Sequence, residues 1–550
     1  MKKRQHWNTS EAIVELVKRL VRIPSISGTL EEKDMADELT AILMEIPYFQ
    51  KHQTNIFREK IVGDSLEREA VAALLKGKDP ADRRTLILLS HYDVVGVDDC
   101  GHFQEFAFDP DAYLEKLKEE TSDPLLQKEL DSGEWLFGRG SMDMKAGIAL
   151  HLALLSEWAA REDSFKGNIL FLSTPDEERN SEGMLAAVNL LLRLKEQEGL
   201  DYSFAICSEP SFSNYPGDES KYIYAGSVGK MLPLVFCSGK ETHAGEPLEG
   251  VNASWMAAVF TAQMELSPEF ADRARGEQGP LPICLKLTDL KDRYNVQTPT
   301  YAYGLYNIMT LKQTPDETMK RLVKKAEDSA EEIHSRLKAV YAAGGVASQP
   351  PKPRVYTYSS LYELGVERYG DRFKEDMENL FLKWTDVEFD YRELTVELAK
   401  EMAGYFTDLA PFYLVMLAPP YYPHVSLNKE NQKEDFLLRL TETIQAKALH
   451  DYQTEIKLQQ FFMGLSDVSY CRLMDGDKVI GAIEAEMPLY NRRYHLPLEQ
   501  IAKLDIPTVN IGPYGKDAHK RTERLELPFS TGILPDLLRH AVEKWQEGKE

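Results

Sequence analysis

The sequence predicts an α/β protein: a mostly parallel sheet with helices around it, into which an α+β domain of two helices on an antiparallel sheet is inserted. Three observations carry this expectation. Short apolar runs alternate with helical patterns through the opening part of the chain. After SNYPGDES the pattern changes to longer strands and one long charged helix. An apolar run of the first kind, IPTVNIGP, returns only near the end, so the last part of the chain completes the first sheet. The 550 residues exceed one typical domain. The expected division is 1–222 for the first part of the main domain, 223–358 for the insertion and 359–550 for the second part.

The elements follow in order. Thr9 or Ser10 caps a first helix that runs to about Val21 and is ended by Pro24. LEEKDMADELTAILMEI reads as a second helix. TLILLSHYDVV, GNILFLSTPDEER and SFAICSEP are short apolar runs between helical patterns and read as buried parallel strands. Between Asp93 and Asp143 the charged segment DAYLEKLKEETSDPLLQKELDSGEW reads as a solvated surface helix or flap. From Tyr222 come a strand (YIYAGSVGKMLPLVFCSG), a helix (NASWMAAVFTAQMEL) and two strands (PICLKLTDLK, TYAYGLYNIMTL). A long helix (ETMKRLVKKAEDSAEEIHSRLKAVY) follows, and the prolines of ASQPPKPRVYTY mark a turn before a last strand. From about Ser359 helices return, then the strand FYLVMLAPPYYPHV, then IPTVNIGP.

Composition narrows the function classes. Hydrophobic residues make up 43% and charged residues 28%, as in an ordinary globular protein. A net charge of -24, from 89 acidic and 65 basic residues, argues against a nucleic-acid surface. No apolar run is long enough to cross a bilayer, and MKKRQHWNTSEAIVELVKRL reads as a helix instead of a signal peptide. The five cysteines are scattered and lack CxxC spacing, which fits reduced thiols in the cytoplasm. Neither nucleic acid nor membrane is an expected partner.

The residues at the strand ends carry the chemistry. His91 and Asp93 end the first run, Asp176, Glu177 and Glu178 the second, Glu209 the third, and His519 follows the last. Asp143 lies in GRGSMDMKAG, where Gly138, Gly140 and Gly147 suggest an unusual backbone path. In open α/β sheets ligands bind beyond the carboxyl ends of the strands. Imidazole and carboxylate donors gathered there suit one or two divalent ions, with zinc the best match. Taken alone, the acidic triplet also reads as a helix start and His91-x-Asp93 as an ordinary strand end. The meeting of all four strand ends is what favours a metal site. On an extended strand His91 and Asp93 share a face, so Asp93 can hold the imidazole tautomer.

The ordered motifs SHYDVV, GRGSMDMKAG, STPDEE, SEP, KETHAGEPLEGVNA and GPYGKDAHKRTE resemble the dinuclear zinc hydrolases that include aminoacylase, peptidase T, carboxypeptidase G and succinyl-diaminopimelate desuccinylase. The long insertions and APPYYPHV look like the subgroup of the arginine-utilisation protein RocB. The resemblance implies a zinc-hydrolase catalytic domain with an inserted lid or dimerisation domain, and hydrolysis of an amide or peptide bond by a metal-activated water. The substrate would be small: a dipeptide, an N-acyl amino acid or an arginine-related compound. Asp143 would bridge two ions, His91 and Glu209 would complete one site, and Glu178 and His519 the other. Glu177 would be the general base and Asp93 the orienter of His91. The family often has a cis peptide after the bridging aspartate, here Asp143–Met144. His243 would reach across from the insertion to stabilise the oxyanion, in keeping with a homodimer through that domain. Asn295 would contact substrate.

One departure is visible. Many relatives carry Asp-x-Arg on a strand of the insertion, where this chain has Asn307 and Met309. Met309 cannot pair with a carboxylate. Arg293 and Arg354 are alternative cations, and each also reads as surface charge. Two other readings stay open at this point: a hydrolase with a single ion, and a binding or regulatory protein that keeps the fold without turnover.

Overall fold

The computed structural model describes residues 7–162, 164–215, 217–383 and 390–548. It divides into two compact units. The first comprises Met1–Ser227, Val425–Arg472 and Gln500–Glu550, and the second Val228–His424 and Leu473–Glu499.

In the first unit, eight strands form one mixed sheet. Their order is Ile56–Lys60, Glu69–Lys76, Asn168–Thr174, Arg84–His91, Asp201–Cys207, Thr508–Asn510, Lys221–Tyr224 and Ile456–Gln459. The four central strands, from Asn168–Thr174 to Thr508–Asn510, run parallel. Their carboxyl ends therefore lie along one edge. Asn168–Thr174 is buried at every position, as its unbroken apolar run requires. On one face the helices Ser10–Val21, Ala146–Ala159 and Leu534–Glu547 share a core with Val71, Leu86, Leu88 and Ile169. Ser10–Val21 starts where Thr9 accepts the N–H of Ala12 at 3.2 Å, and it buries Ile13, Leu16, Val17 and Leu20 at helical spacing. Glu182–Gln197 packs on Glu69–Lys76 with apolar residues that lie outside that core, so it covers the other face.

The second unit holds a five-stranded sheet in the order Ile283–Asp289, Tyr301–Thr310, Gly229–Ser238, Phe412–Tyr422, Arg354–Thr357. The helices Ala253–Met264 and Pro315–Ala343 pack together, the first against three of the strands. The structure places two features differently from the sequence reading. The unit runs on to His424 instead of ending near 358, and it takes in Leu473–Glu499. The cause is the strand Phe412–Tyr422, which pairs antiparallel with Gly229–Ser238 from Phe412↔Ser238 to Tyr422↔Lys230. An apolar strand joins whichever sheet offers a free edge, and its sequence does not name the sheet. A third helix, Tyr391–Gly404, also lies against this sheet. It is on the face opposite Ala253–Met264. Tyr413 reaches Met256 O on one side, and Lys286 faces Glu393 at 3.9 Å on the other.

Candidate metal centre

Every strand end singled out in the sequence arrives at the same edge of the first unit's sheet. His91 is the last residue of its strand. Its Nδ1 faces the Asp93 carbonyl at 3.1 Å and Asp93 Oδ1 at 3.4 Å. An Nδ1–H donated there leaves Nε2 free for a cation. Nε2 points to Asp143 Oδ1 at 3.3 Å, Glu209 Oε2 at 3.6 Å and Glu177 Oε2 at 3.9 Å. The second oxygen of Asp143 faces His519 Nε2 at 3.1 Å, and His519 Nε2 is 2.9 Å from Glu178 Oε1. Asp143 thus stands between two imidazoles, one on each oxygen. Three groups could each hold an ion: His91, Asp143 and Glu209; His91, Glu177 and Glu178; and Asp143, Glu178 and His519. The ligand atoms in each group lie within 4.8 Å of one another.

Local structure sets these positions. Glu177 and Glu178 sit in a turn after the strand Asn168–Thr174, and their N–H groups donate to Asp93 Oδ1 at 3.0 Å and Oδ2 at 3.1 Å. Ser27 Oγ also donates to Asp93 Oδ2, at 2.6 Å. Asp176 turns away from this cluster. It pairs with the buried Arg68, which also meets Glu32 at 3.4 Å, Asp64 at 3.0 Å and Glu182 at 3.1 Å. Asn510 Nδ2 donates to Glu209 O at 3.1 Å, and Ser466 Oγ to Glu209 Oε1 at 3.4 Å. Gly512 is needed beside them, because a Cβ there would lie 1.8 Å from Glu209 O. The Asp143–Met144 peptide is cis. The N–H groups of Met142 and Asp143 donate to Glu523 Oε1 at 3.3 and 3.4 Å, while Glu523 Oε2 meets Arg139 at 3.0 Å.

Electrostatics show what charge the cluster favours. Burial first, and then the carboxylates of Glu209, Glu178 and Asp467, push the Glu177 carboxyl well above its usual range against the pull of His91. Burial likewise raises Glu209 to about 7. Burial opposes charge on His519, but Asp143 and Glu178 outweigh it and lift its pKa to about 11. For His91, too, burial is overcome by the acids around it. The two imidazoles hold Asp143 below the ordinary carboxylate range although burial opposes this. So many buried carboxylates crowd together only where positive charge balances them. Imidazole nitrogen and carboxylate oxygen at these separations fit divalent cations.

Several residues around the site escaped the sequence reading. Asp467, in GLSDVSY, is buried, and its Oδ2 accepts from Thr174 Oγ1 at 2.5 Å. Glu523 lies inside the quoted motif GPYGKDAHKRTE, four residues after His519. Ser466 precedes Asp467 in GLSDVSY, while Arg68 and Ser27 carried no motif signal. His243 and Asn295 belong to the second unit. Their loops adjoin: Ala244 N donates to Val296 O at 2.9 Å and His243 bridges to Gln297. Both side chains are exposed. His243 Nδ1 accepts from Gly245 N at 3.1 Å, and Asn295 bonds Gln297 at 3.0 Å. Met309 pairs across the sheet with Lys230, and Arg293 and Arg354 are both exposed.

Comparison with known proteins agrees with this architecture. Residues 87–473 match the profile of peptidase family M20/M25/M40. The chain is 36% identical over 545 residues to protein YqjN of Bacillus subtilis, covering 98% of this chain and 97% of that one. It is 31% identical over 543 residues to protein RocB of the same organism, covering 98% and 95%. Among solved structures, a tripeptidase from Staphylococcus aureus superposes with a TM-score of 0.52 at 13% identity, covering 98% of this chain and 99% of that one. Aminopeptidase PepT from Bacillus cereus gives 0.52 at 14% identity, covering 97% and 98%. At such identities these two structures speak for the fold alone. The α/β sheet, the motifs along it and the match over most of the chain place this protein in peptidase family M20/M25/M40.

Proposed function

We propose that the chain is a metal-dependent amidohydrolase or peptidase acting on a small substrate, with two divalent ions, best matched by zinc, held by His91, Asp143, Glu178, Glu209 and His519. The observation that carries this reading is Asp143 between the two imidazoles, with Glu177 beside it. A divalent ion bound there would acidify water and polarise the substrate carbonyl. Glu177 takes the proton from the attacking water and delivers it to the departing amine. Its environment suits that task, because a carboxyl raised by burial and by neighbouring acids is a stronger base than a solvated one. Asp93 fixes both the His91 ring and the turn that carries Glu177.

His243 and Asn295 sit on adjoining exposed loops and would meet the substrate together, His243 stabilising the oxyanion. The edge strand Ile283–Asp289 supports a homodimer through the second unit. It is an edge of its sheet and presents Ile283, Leu285 and Leu287 to solvent, 40%, 50% and 46% exposed, an apolar strip that a second copy could cover. The substrate would be a dipeptide, an N-acyl amino acid or an arginine-related compound. The last rests on the likeness to the RocB subgroup. With Met309 opposite Lys230, a substrate carboxylate would find no arginine at that place. The proposed setting is the cytoplasm. Among the described residues no helix is long and apolar enough to cross a membrane.

Glu177→Gln tests the reading. The variant should lose turnover of N-acyl and dipeptide substrates by about 100-fold or more while it binds metal as the parent does. A wild-type protein that binds metal but turns over none of these substrates would favour a binding protein instead.

A further inference from the structure

The charged segment between Asp93 and Asp143 is not a free flap. The turn Asp98–Phe106 and the helices Pro110–Glu120 and Pro124–Ser132 enclose a small core of their own, formed by Cys100, Phe103, Tyr113, Leu117, Leu130 and Phe137. None of their residues belongs to the three ion-holding groups. Their polar groups converge on a different target, the hairpin that carries His519.

That hairpin runs from Gly515–Lys516 to Arg524–Glu526, with Lys516 opposite Arg524. Trp135–Phe137, at the end of the charged segment, pairs with Arg524–Glu526 as the third strand. Glu129 then spans the base of the loop, with one oxygen 2.8 Å from Lys516 Nζ and the other 2.6 Å from Arg524 Nε. Arg521, two residues past His519, is held three ways. Its guanidinium meets Glu120 at 2.5 Å and lies 4.8 Å over the Phe103 ring, and its carbonyl accepts the Tyr113 hydroxyl at 2.6 Å.

His519 needs such support more than the other candidate ligands do. Its side chain is 44% exposed, whereas those of His91, Asp143, Glu178 and Glu209 are all below 10%. Its backbone is left-handed at φ 62°, as is that of Asp517 at φ 59°. Such positions persist only when their surroundings over-determine them. Within the loop Asp517 accepts from Thr522 at 2.8 Å and pairs with Arg524, and Glu523 meets Arg139 at 3.0 Å; from the charged segment, Glu129 and Glu120 add contacts to Lys516, Arg524 and Arg521.

We propose that the charged segment between Asp93 and Asp143 is a clamp that sets the affinity of the ion held by His519 and Glu178, with Glu129 and Glu120 as its positioning residues. The proposal rests on the two-ion reading of the site. Loss of a group that orients a ligand weakens metal binding by about 10–100-fold. Here the loss falls on one ion of the two, because His91 and Glu209 are anchored by other elements.

Cobalt(II) titration of the metal-free full-length protein, followed by absorption and by calorimetry, reads the two ions separately. Wild type should take up two. Glu129→Ala combined with Glu120→Ala should weaken one by about 10–100-fold and leave the other unchanged. The far-ultraviolet circular dichroism of the metal-free protein should not change. If the double variant does not fold, Glu129→Gln alone, which keeps the side-chain volume, is read in the same way. Unchanged affinity for both ions, or equal loss at both, overturns the clamp. A wild-type protein that takes up fewer than two ions overturns the two-ion reading and the clamp with it.

Discussion

The Asp93 carboxylate receives the backbone N–H of Glu177 at 3.0 Å on one oxygen and that of Glu178 at 3.1 Å on the other. It also faces the ring of His91. One side chain therefore fixes the proposed base, one proposed ligand on the next strand end and one on its own. Asp93→Ala removes both acceptors of the turn and the carboxylate that faces the His91 ring, leaving that ring only the backbone carbonyl at 3.1 Å. Zinc affinity measured by calorimetry should fall by about 10–100-fold, and turnover should fall further than metal occupancy because Glu177 loses its support as well. Affinity equal to that of the parent would show that His91 and the turn are held by something else.

Arg68 makes a second prediction, about stability. It is buried among Asp176, Glu32, Asp64 and Glu182. Burial already pushes Asp176 up to about 6 and Glu32 to about 8 despite the arginine. Removing one partner of a buried ionic network leaves the others uncompensated, at about 3–5 kcal/mol. Arg68→Met should lower the unfolding free energy by that amount in urea titrations of the metal-free protein. A loss below about 1 kcal/mol, the size of an ordinary surface change, would contradict this account.

His151 predicts the acid limb of stability. Its Nε2 lies 2.8 Å from Ser208 Oγ, and Ser208 Oγ donates to Ile511 O at 2.9 Å, so Nε2 carries the proton. Nδ1 is buried without a partner among the described residues. Burial lowers the His151 pKa to about 3. The unfolded chain binds this proton near pH 6.5 and the folded chain does not, so stability is lost as pH falls below 6.5. Between pH 7 and pH 5 that loss amounts to about 2 kcal/mol. His151→Gln keeps a donor for Ser208 and removes the titration. Its stability should fall by about 2 kcal/mol less over that interval than the parent's. Parallel pH profiles for the two proteins would refute the assignment.

The sequence was most legible where residue type and local pattern decide the outcome. His91, Glu177, Glu178 and Glu209 were traceable because each follows a short apolar run, and the parallel sheet carries such ends to one edge. His519 was traceable because IPTVNIGP has the same character. What stayed hidden depends on partners distant in sequence. Glu129 and Glu120 look like any solvated helix charges until Lys516, Arg521 and Arg524 are brought beside them. Phe412–Tyr422 was recognisable as a strand, but an apolar run does not reveal which of two sheets it will join. Spacing and residue type do not tell Asp176 from Glu177 and Glu178, which only the motif resemblance separates, because three adjacent acids point apart only once the turn places Arg68 on one side.

The most direct measurement is anomalous diffraction, at the zinc absorption edge, from crystals of the zinc-loaded protein. Two peaks are expected, one among His91, Asp143 and Glu209 and one among Asp143, Glu178 and His519. The absence of any peak against Asp143, or a single ion with one of the two imidazoles left unligated, would contradict the two-ion site.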